Sequence, residues 1–161
     1  MKSISLASVT TLTDQSERTL RRRLADGSLP RAVDEGGSNR TMIPFDAIKP
    51  QICIPVEEGD FELIEQADGG DAKAQNDLAL LFLSNGKPES AIYWLELSAK
   101  QDYADAMHWL GRCYIDGNGV TRNEDLGIMW LAKASAHGHV ISQSQLKAMK
   151  DSFTGTYRAN S

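Results

Sequence analysis

Two cysteines in 161 residues, Cys53 and Cys113, are too few and too widely spaced for a disulfide scaffold or a cysteine-based metal site. Read as reduced thiols, they place the chain in the cytoplasm. The three histidines, His108, His137 and His139, have no cysteine or carboxylate cluster to complete a ligand set, so no metal is expected. No apolar run approaches the roughly 18 residues that span a bilayer, and "MKSISLASVTTLTDQ" lacks the apolar core of a signal peptide. Phosphate-binding glycine loops, nucleophile elbows and paired acid–base groups are also missing. The glycines of "EGGSN" do not sit between a strand and a helix. The sequence therefore gives no argument for an enzyme and calls for no cofactor.

Charge is distributed unevenly. Residues 1–50 carry 8 Lys/Arg against 6 Asp/Glu, whereas residues 51–161 carry 9 against 16, within a total net charge of -5. A basic head on an acidic body points to two modules with different partners.

In the head, Leu6, Val9 and Leu12 fall at helical spacing and predict one buried stripe. Asp14 and Gln15 break that pattern, and Ser16 is a good N-cap for a second helix over about 17–26, with Glu17 near its positive end. Leu20 and Leu24 turn inward, and Gly27 is placed to terminate the helix. Arg18 and Arg22 then form an outward i, i+4 row flanked by Arg21, while Arg23 lies nearer the leucine side. Pro30 stops the helix. "RAV" and "RTMIPF" read as strands of a hairpin whose tip is "DEGGSN", with Arg31 and Arg40 near the strand bases and Ser38 and Asn39 at the tip. A short helix in "FDAIKPQI" closes a winged helix-turn-helix.

"SERTLRRRLADGSLP" resembles the second helix of MerR-type regulators and the related excisionase-like domains, through Ser16, Thr19, Leu20, Gly27, Leu29 and Pro30. Val9 matches a core position of the first helix, and the resemblance covers roughly residues 4–50. Asp14 replaces the usual turn glycine, Gln15 a small apolar residue and Arg23 a frequent aromatic. The resemblance implies double-stranded DNA as partner. Arg18, Arg21, Arg22, Arg23, Arg31 and Arg40 would hold phosphates or guanine edges, and Ser16, Thr19, Ser38 and Asn39 would add polar contacts.

The body contains an internal repeat. Ala72, Ala74, Leu78, Phe82, Trp94 and Leu95 align with Ala104, Ala106, Leu110, Tyr114, Trp130 and Leu131. Half-units flank the pair: Leu63 and Ala67 align with Leu95 and Ala99, and Leu146 aligns with Leu110. Each unit reads as two antiparallel helices that must stack on neighbours to bury their apolar faces.

Ala104, Ala106, Leu110, Gly111, Tyr114, Gly117, Gly119 and Val120, followed by Trp130, Ala134, Gly138 and His139, resemble the Sel1-like repeat (SLR), a relative of the tetratricopeptide repeat. The match covers about residues 57–150, and the first unit lacks the Gly-x-Gly-Val loop. It implies partner binding rather than catalysis. Trp109 and Arg112, with their equivalents Asp77 and Leu80, and Tyr93 with Met129, occupy positions that such repeats usually leave polar. They are the expected dimer or partner interface.

The expected fold is therefore mainly α: a winged helix-turn-helix over residues 1–52, a short α-solenoid over 57–150 and a flexible tail over 151–161. The expected function is a DNA-binding transcriptional regulator, homodimeric through its repeats or binding an effector protein there, with no membrane partner. The alternative is a protein-interaction adaptor that does not bind DNA, or an excisionase-like recombination factor.

Overall fold

The computed structural model describes residues 3–33 and 39–159. A short strand, β1 (Ser3–Ser5), leads into α1 (Leu6–Thr13) and α2 (Glu17–Ala25). Next come β2 (Met42–Pro44), α3 (Phe45–Ile48) and a 3-10 turn over Lys49–Gln51. Six further helices follow: α4 (Glu58–Asp68), α5 (Ala72–Ser84), α6 (Pro88–Ala99), α7 (Ala104–Asp116), α8 (Glu124–Ala136) and α9 (Val140–Ala159).

Local signals place most of these boundaries. Ser5, Ser16, Asp71 and Asn123 each cap a helix by accepting the backbone N–H three residues on. Glu57 and Asp60 form a reciprocal capping box at α4. Asp14 adopts the left-handed conformation (φ 55, ψ 31) that the α1–α2 turn demands. Asp can do so because its short polar side chain tolerates that region better than most.

The expected wing is corrected. β2 pairs antiparallel with β1, Ile4 opposite Ile43, instead of with residues 31–33. Ile4 and Ile43 are both fully buried, whereas Val33 is 88% exposed. The 31–33 segment has no buried side chain to hold it in register, and it touches β2 through the Ala32 N–H, which donates to the Met42 C=O at 2.9 Å. Residues 34–38 of the hairpin tip, Ser38 included, lie outside the described residues.

From α4 onward the helices stack in antiparallel pairs. Helices α7 and α8 approach closely at Gly111 and Gly127, where a Cβ on either would lie 2.8 Å from the other's carbonyl oxygen. Head and body share one core: Val9, Leu12, Leu20 and Phe45 belong to the same apolar cluster as Ile64, Phe82, Trp94 and Leu110. Helix α9 runs on to Ala159, so the segment that the sequence assigns to a flexible tail is helical up to that residue.

Candidate functional site

Two surfaces collect the residues singled out in the sequence. The first is the outer face of α2. Ser16 caps the helix, its Oγ accepting from Thr19 N–H at 3.1 Å and donating to Thr19 Oγ1 at 2.9 Å. Arg18 and Arg22 are exposed and enter no ion pair among the described residues. Arg21 is held by Glu17 at 2.7 Å, an exposed i, i+4 pair that contributes little to stability. Arg21 also stands between two small clefts, one shared with Asn39 and Arg40 and the other with Arg31. Arg23 points elsewhere: its guanidinium donates at 2.7 Å to the side-chain oxygens of both Gln15 and Gln51, tying α2 to the 3-10 turn.

The second surface is a cleft of about 350 Å³ on the repeats, lined by Leu83 of α5, by His108, Trp109, Arg112, Cys113 and Asp116 of α7, and by Asn118. Trp109 is 39% exposed and meets the His108 ring edge-on at 5.3 Å. Arg112 stands 3.7 Å from Asp116, too far for a good hydrogen bond, so its guanidinium retains donors for a ligand. Burial pushes the Cys113 thiol up to about 11, which removes it as a nucleophile near neutral pH. Leu80 and Asp77 lie about one and two turns before Leu83 on α5, Leu80 half-buried and Asp77 paired with Lys73 at 2.7 Å. Met129 is exposed on α8. Tyr93 lies apart: it is half-buried, packs edge-on against Trp94 at 5.1 Å, and lines the junction with the head beside Arg40 and Asp68.

That junction contains functional groups that sequence reasoning missed. The Asp68 carboxylate accepts from the Ser5 N–H and from the hydroxyls of Ser5 and Ser8. Trp94 Nε1 donates to Thr11 Oγ1, Ser90 Oγ donates to the Thr11 carbonyl, and Lys87 pairs with Asp14 at 3.1 Å. Nothing in local spacing signals these contacts, since each joins residues at least 60 positions apart.

Behind Trp109 lies a second polar chain. His108 Nδ1 and His139 Nδ1 each lie 3.0 Å from Ser142 Oγ, and the two rings stack at 4.5 Å. His139 Nδ1 also accepts the Ser142 N–H, and its Nε2 faces Asp105 at 3.1 Å. Burial, then the neighbouring His139 and Arg112, hold His108 down at about 4 against the weaker pull of Asp105. Among the described residues no group of three His, Cys, Asp or Glu is arranged to hold a metal ion, and no helix is long and apolar enough to cross a membrane.

The chain matches the Sel1 repeat family over residues 72–103 and 104–139. It is similar to the crystal structure of a Sel1 repeat protein from Oxalobacter formigenes, with a TM-score of 0.51 and 30% identity over 56% of this chain and 71% of that one. It is likewise similar to c5321, described as a protective antigen present in uropathogenic Escherichia coli strains and displaying an SLR fold, with a TM-score of 0.51 and 30% identity over 55% of this chain and 20% of that one. Human wolframin is 30% identical over 105 residues, which are 61% of this chain and 11% of wolframin. The chain thus spans about a ninth of wolframin and a fifth of the antigen.

Proposed function

Because this chain belongs to the Sel1-repeat family, we propose that it is a protein-interaction adaptor, non-catalytic and cytoplasmic, that grips a partner protein through the Trp109 cleft. Sel1 repeats point to protein partners, and one observation directs the partner to this spot: a solvent-facing tryptophan beside a loosely held arginine in a preformed cleft. Tryptophan and arginine are among the side chains that most often dominate binding energy at protein interfaces, tryptophan through the large rigid area it buries and arginine through its planar fork of donors. Leu83 and the protonated Cys113 supply the apolar lining. The cytoplasmic assignment rests on the two free thiols.

The test is affinity capture with quantitative mass spectrometry on wild type, Trp109→Ala, Arg112→Gln and a control at the exposed Glu89 (Glu89→Gln). Proteins that bind the cleft should be depleted by about tenfold or more in the first two variants and unchanged in the control. A captured set indifferent to Trp109 and Arg112 would refute the reading.

A second reading, that α2 binds duplex DNA in a transcriptional regulator, is favoured by the exposure of Arg18 and Arg22, neither in an ion pair among the described residues, and by the grouping of Arg21, Arg31, Asn39 and Arg40. Affinity would then fall steeply with salt as counterions are released. Arg18→Ala with Arg22→Ala should weaken binding far more than Lys147→Ala with Lys150→Ala. Equal effects would remove this reading.

A further inference from the structure

The chain contains two Asn-Gly pairs, Asn85-Gly86 and Asn118-Gly119, each following the first helix of a repeat unit, α5 and α7. Asparagine before glycine is chemically labile. The glycine has no Cβ to shield its backbone nitrogen or limit its rotation, so that nitrogen can reach the side-chain carbonyl carbon one residue back. The attack is intramolecular and closes a small ring, which removes the entropic cost of bringing two reactants together. Both asparagines are exposed, so solvent access does not tell the pairs apart; hydrogen bonding does. Asn85 Nδ2 donates to the Leu81 carbonyl at 2.8 Å, and the Gly86 N–H donates to the Leu83 carbonyl at 3.2 Å. Electrophile and nucleophile of that pair are both held against the end of α5. Asn118 is anchored through its backbone N–H, on the Cys113 carbonyl at 2.9 Å, whereas its side-chain amide and the Gly119 N–H make no hydrogen bond among the described residues. Packing also fixes the glycine: at φ +78 a Cβ on Gly119 would lie 2.6 Å from the Pro88 carbonyl carbon and oxygen. The fold thus requires glycine at 119, while no hydrogen bond requires the amide at 118.

We propose that Asn118 is a site of spontaneous deamidation that weakens partner binding at the Trp109 cleft. The Gly119 nitrogen bonds to Asn118 Cγ, the Cγ–Nδ2 bond breaks, and the N–H proton leaves with the amide nitrogen as ammonia. Water then opens the cyclic imide at either carbonyl and yields aspartate or isoaspartate; the step needs no reactant besides water. Asn118 lines the cleft with Trp109, Arg112 and Asp116. The product adds a second carboxylate to a cleft where Arg112 already stands 3.7 Å from the first. The donors that the guanidinium would offer a partner are then drawn to the chain's own oxygens. The effect on binding rests on the adaptor reading; the modification itself does not.

The experiment ages the purified full chain in mildly alkaline buffer, folded in one sample and unfolded in urea in another. Mass mapping follows each Asn-Gly peptide for the gain that turns an amide into an acid. In the folded sample Asn118 should react at least about tenfold faster than Asn85, whose two hydrogen bonds must first open. In urea the two should react alike. Equal rates in the folded chain overturn the proposal, as does an Asn118 that stays intact when folded but reacts in urea. Asn118→Asp should reduce the capture of proteins that depend on Trp109, whereas Asn118→Ser, which cannot form the imide, should retain that capture after ageing. Unchanged capture by Asn118→Asp overturns the link to the cleft. A chain that deamidates at Asn118 but captures no Trp109-dependent protein refutes the adaptor reading and that link together, and leaves the modification established.

Discussion

The indole N–H of Trp94 donates to the hydroxyl of Thr11 at 3.0 Å, both groups buried and 83 positions apart. This contact joins the repeats to the head. Around it, the Asp68 carboxylate gathers Ser5 and Ser8, and Lys87 reaches Asp14. The surface of α6 that a solenoid would leave open meets α1, and Tyr93 lies half-buried beside that joint. The α2 face and the Trp109 cleft are therefore carried on one framework, and a partner at either meets a platform fixed relative to the other.

Trp94→Phe should cost about 1–2 kcal/mol through the lost hydrogen bond, and Trp94→Ala about 3–5 kcal/mol through the cavity. A double-mutant cycle with Thr11→Val, followed by urea unfolding, should return a coupling of at least about 0.5 kcal/mol. Head and body should melt in one transition. Two separated transitions in wild type would show that the joint does not couple them.

Gly127→Ala should destabilise by about 1–3 kcal/mol in thermal unfolding, because the close approach of α7 and α8 leaves no room for overpacking. The added Cβ would lie 2.5 Å from Ile115 Cγ1 and 2.8 Å from the Gly111 carbonyl oxygen. Gly59→Ala, in α4 with open space around it, should be neutral or stabilising by up to about 1 kcal/mol. Equal effects at the two positions would show that entropy, not contact, governs both.

Acid should loosen the body through His108. Its ring is 5% exposed and its pKa is lowered from the ordinary 6.5 to about 4. As pH falls through 6.5 the unfolded chain takes up a proton that the folded chain refuses until about 4, so stability is lost across that window. The loss attributable to this group is at most about 3.5 kcal/mol. Urea midpoints between pH 7 and 4.5 should fall more steeply in wild type than in His108→Gln. Parallel slopes would assign the acid sensitivity to other groups.

What could be read in the chain alone was whatever a residue decides with its near neighbours. Ser16 as a cap, the buried stripe of Leu6, Val9 and Leu12, and the repeat that aligns Ala72, Leu78 and Trp94 with Ala104, Leu110 and Trp130 all depend on spacings within a few turns or on a pattern that recurs. Arg23 shows where this ends: its spacing placed it beside the leucines, but only Gln51, arriving from 28 positions away, shows that it ties α2 to the 3-10 turn.

The amino-acid order by itself determined the helices, their caps and the repeat, because backbone hydrogen bonds and apolar periodicity are settled over a few residues. Only the tertiary structure decided that β2 pairs with β1, that Tyr93 lies half-buried at the joint with the head and that Asp68 fastens head to body. Each of these is a match of shape and polarity between distant surfaces. Such a match costs chain entropy to form and leaves no periodic trace in the segments that make it.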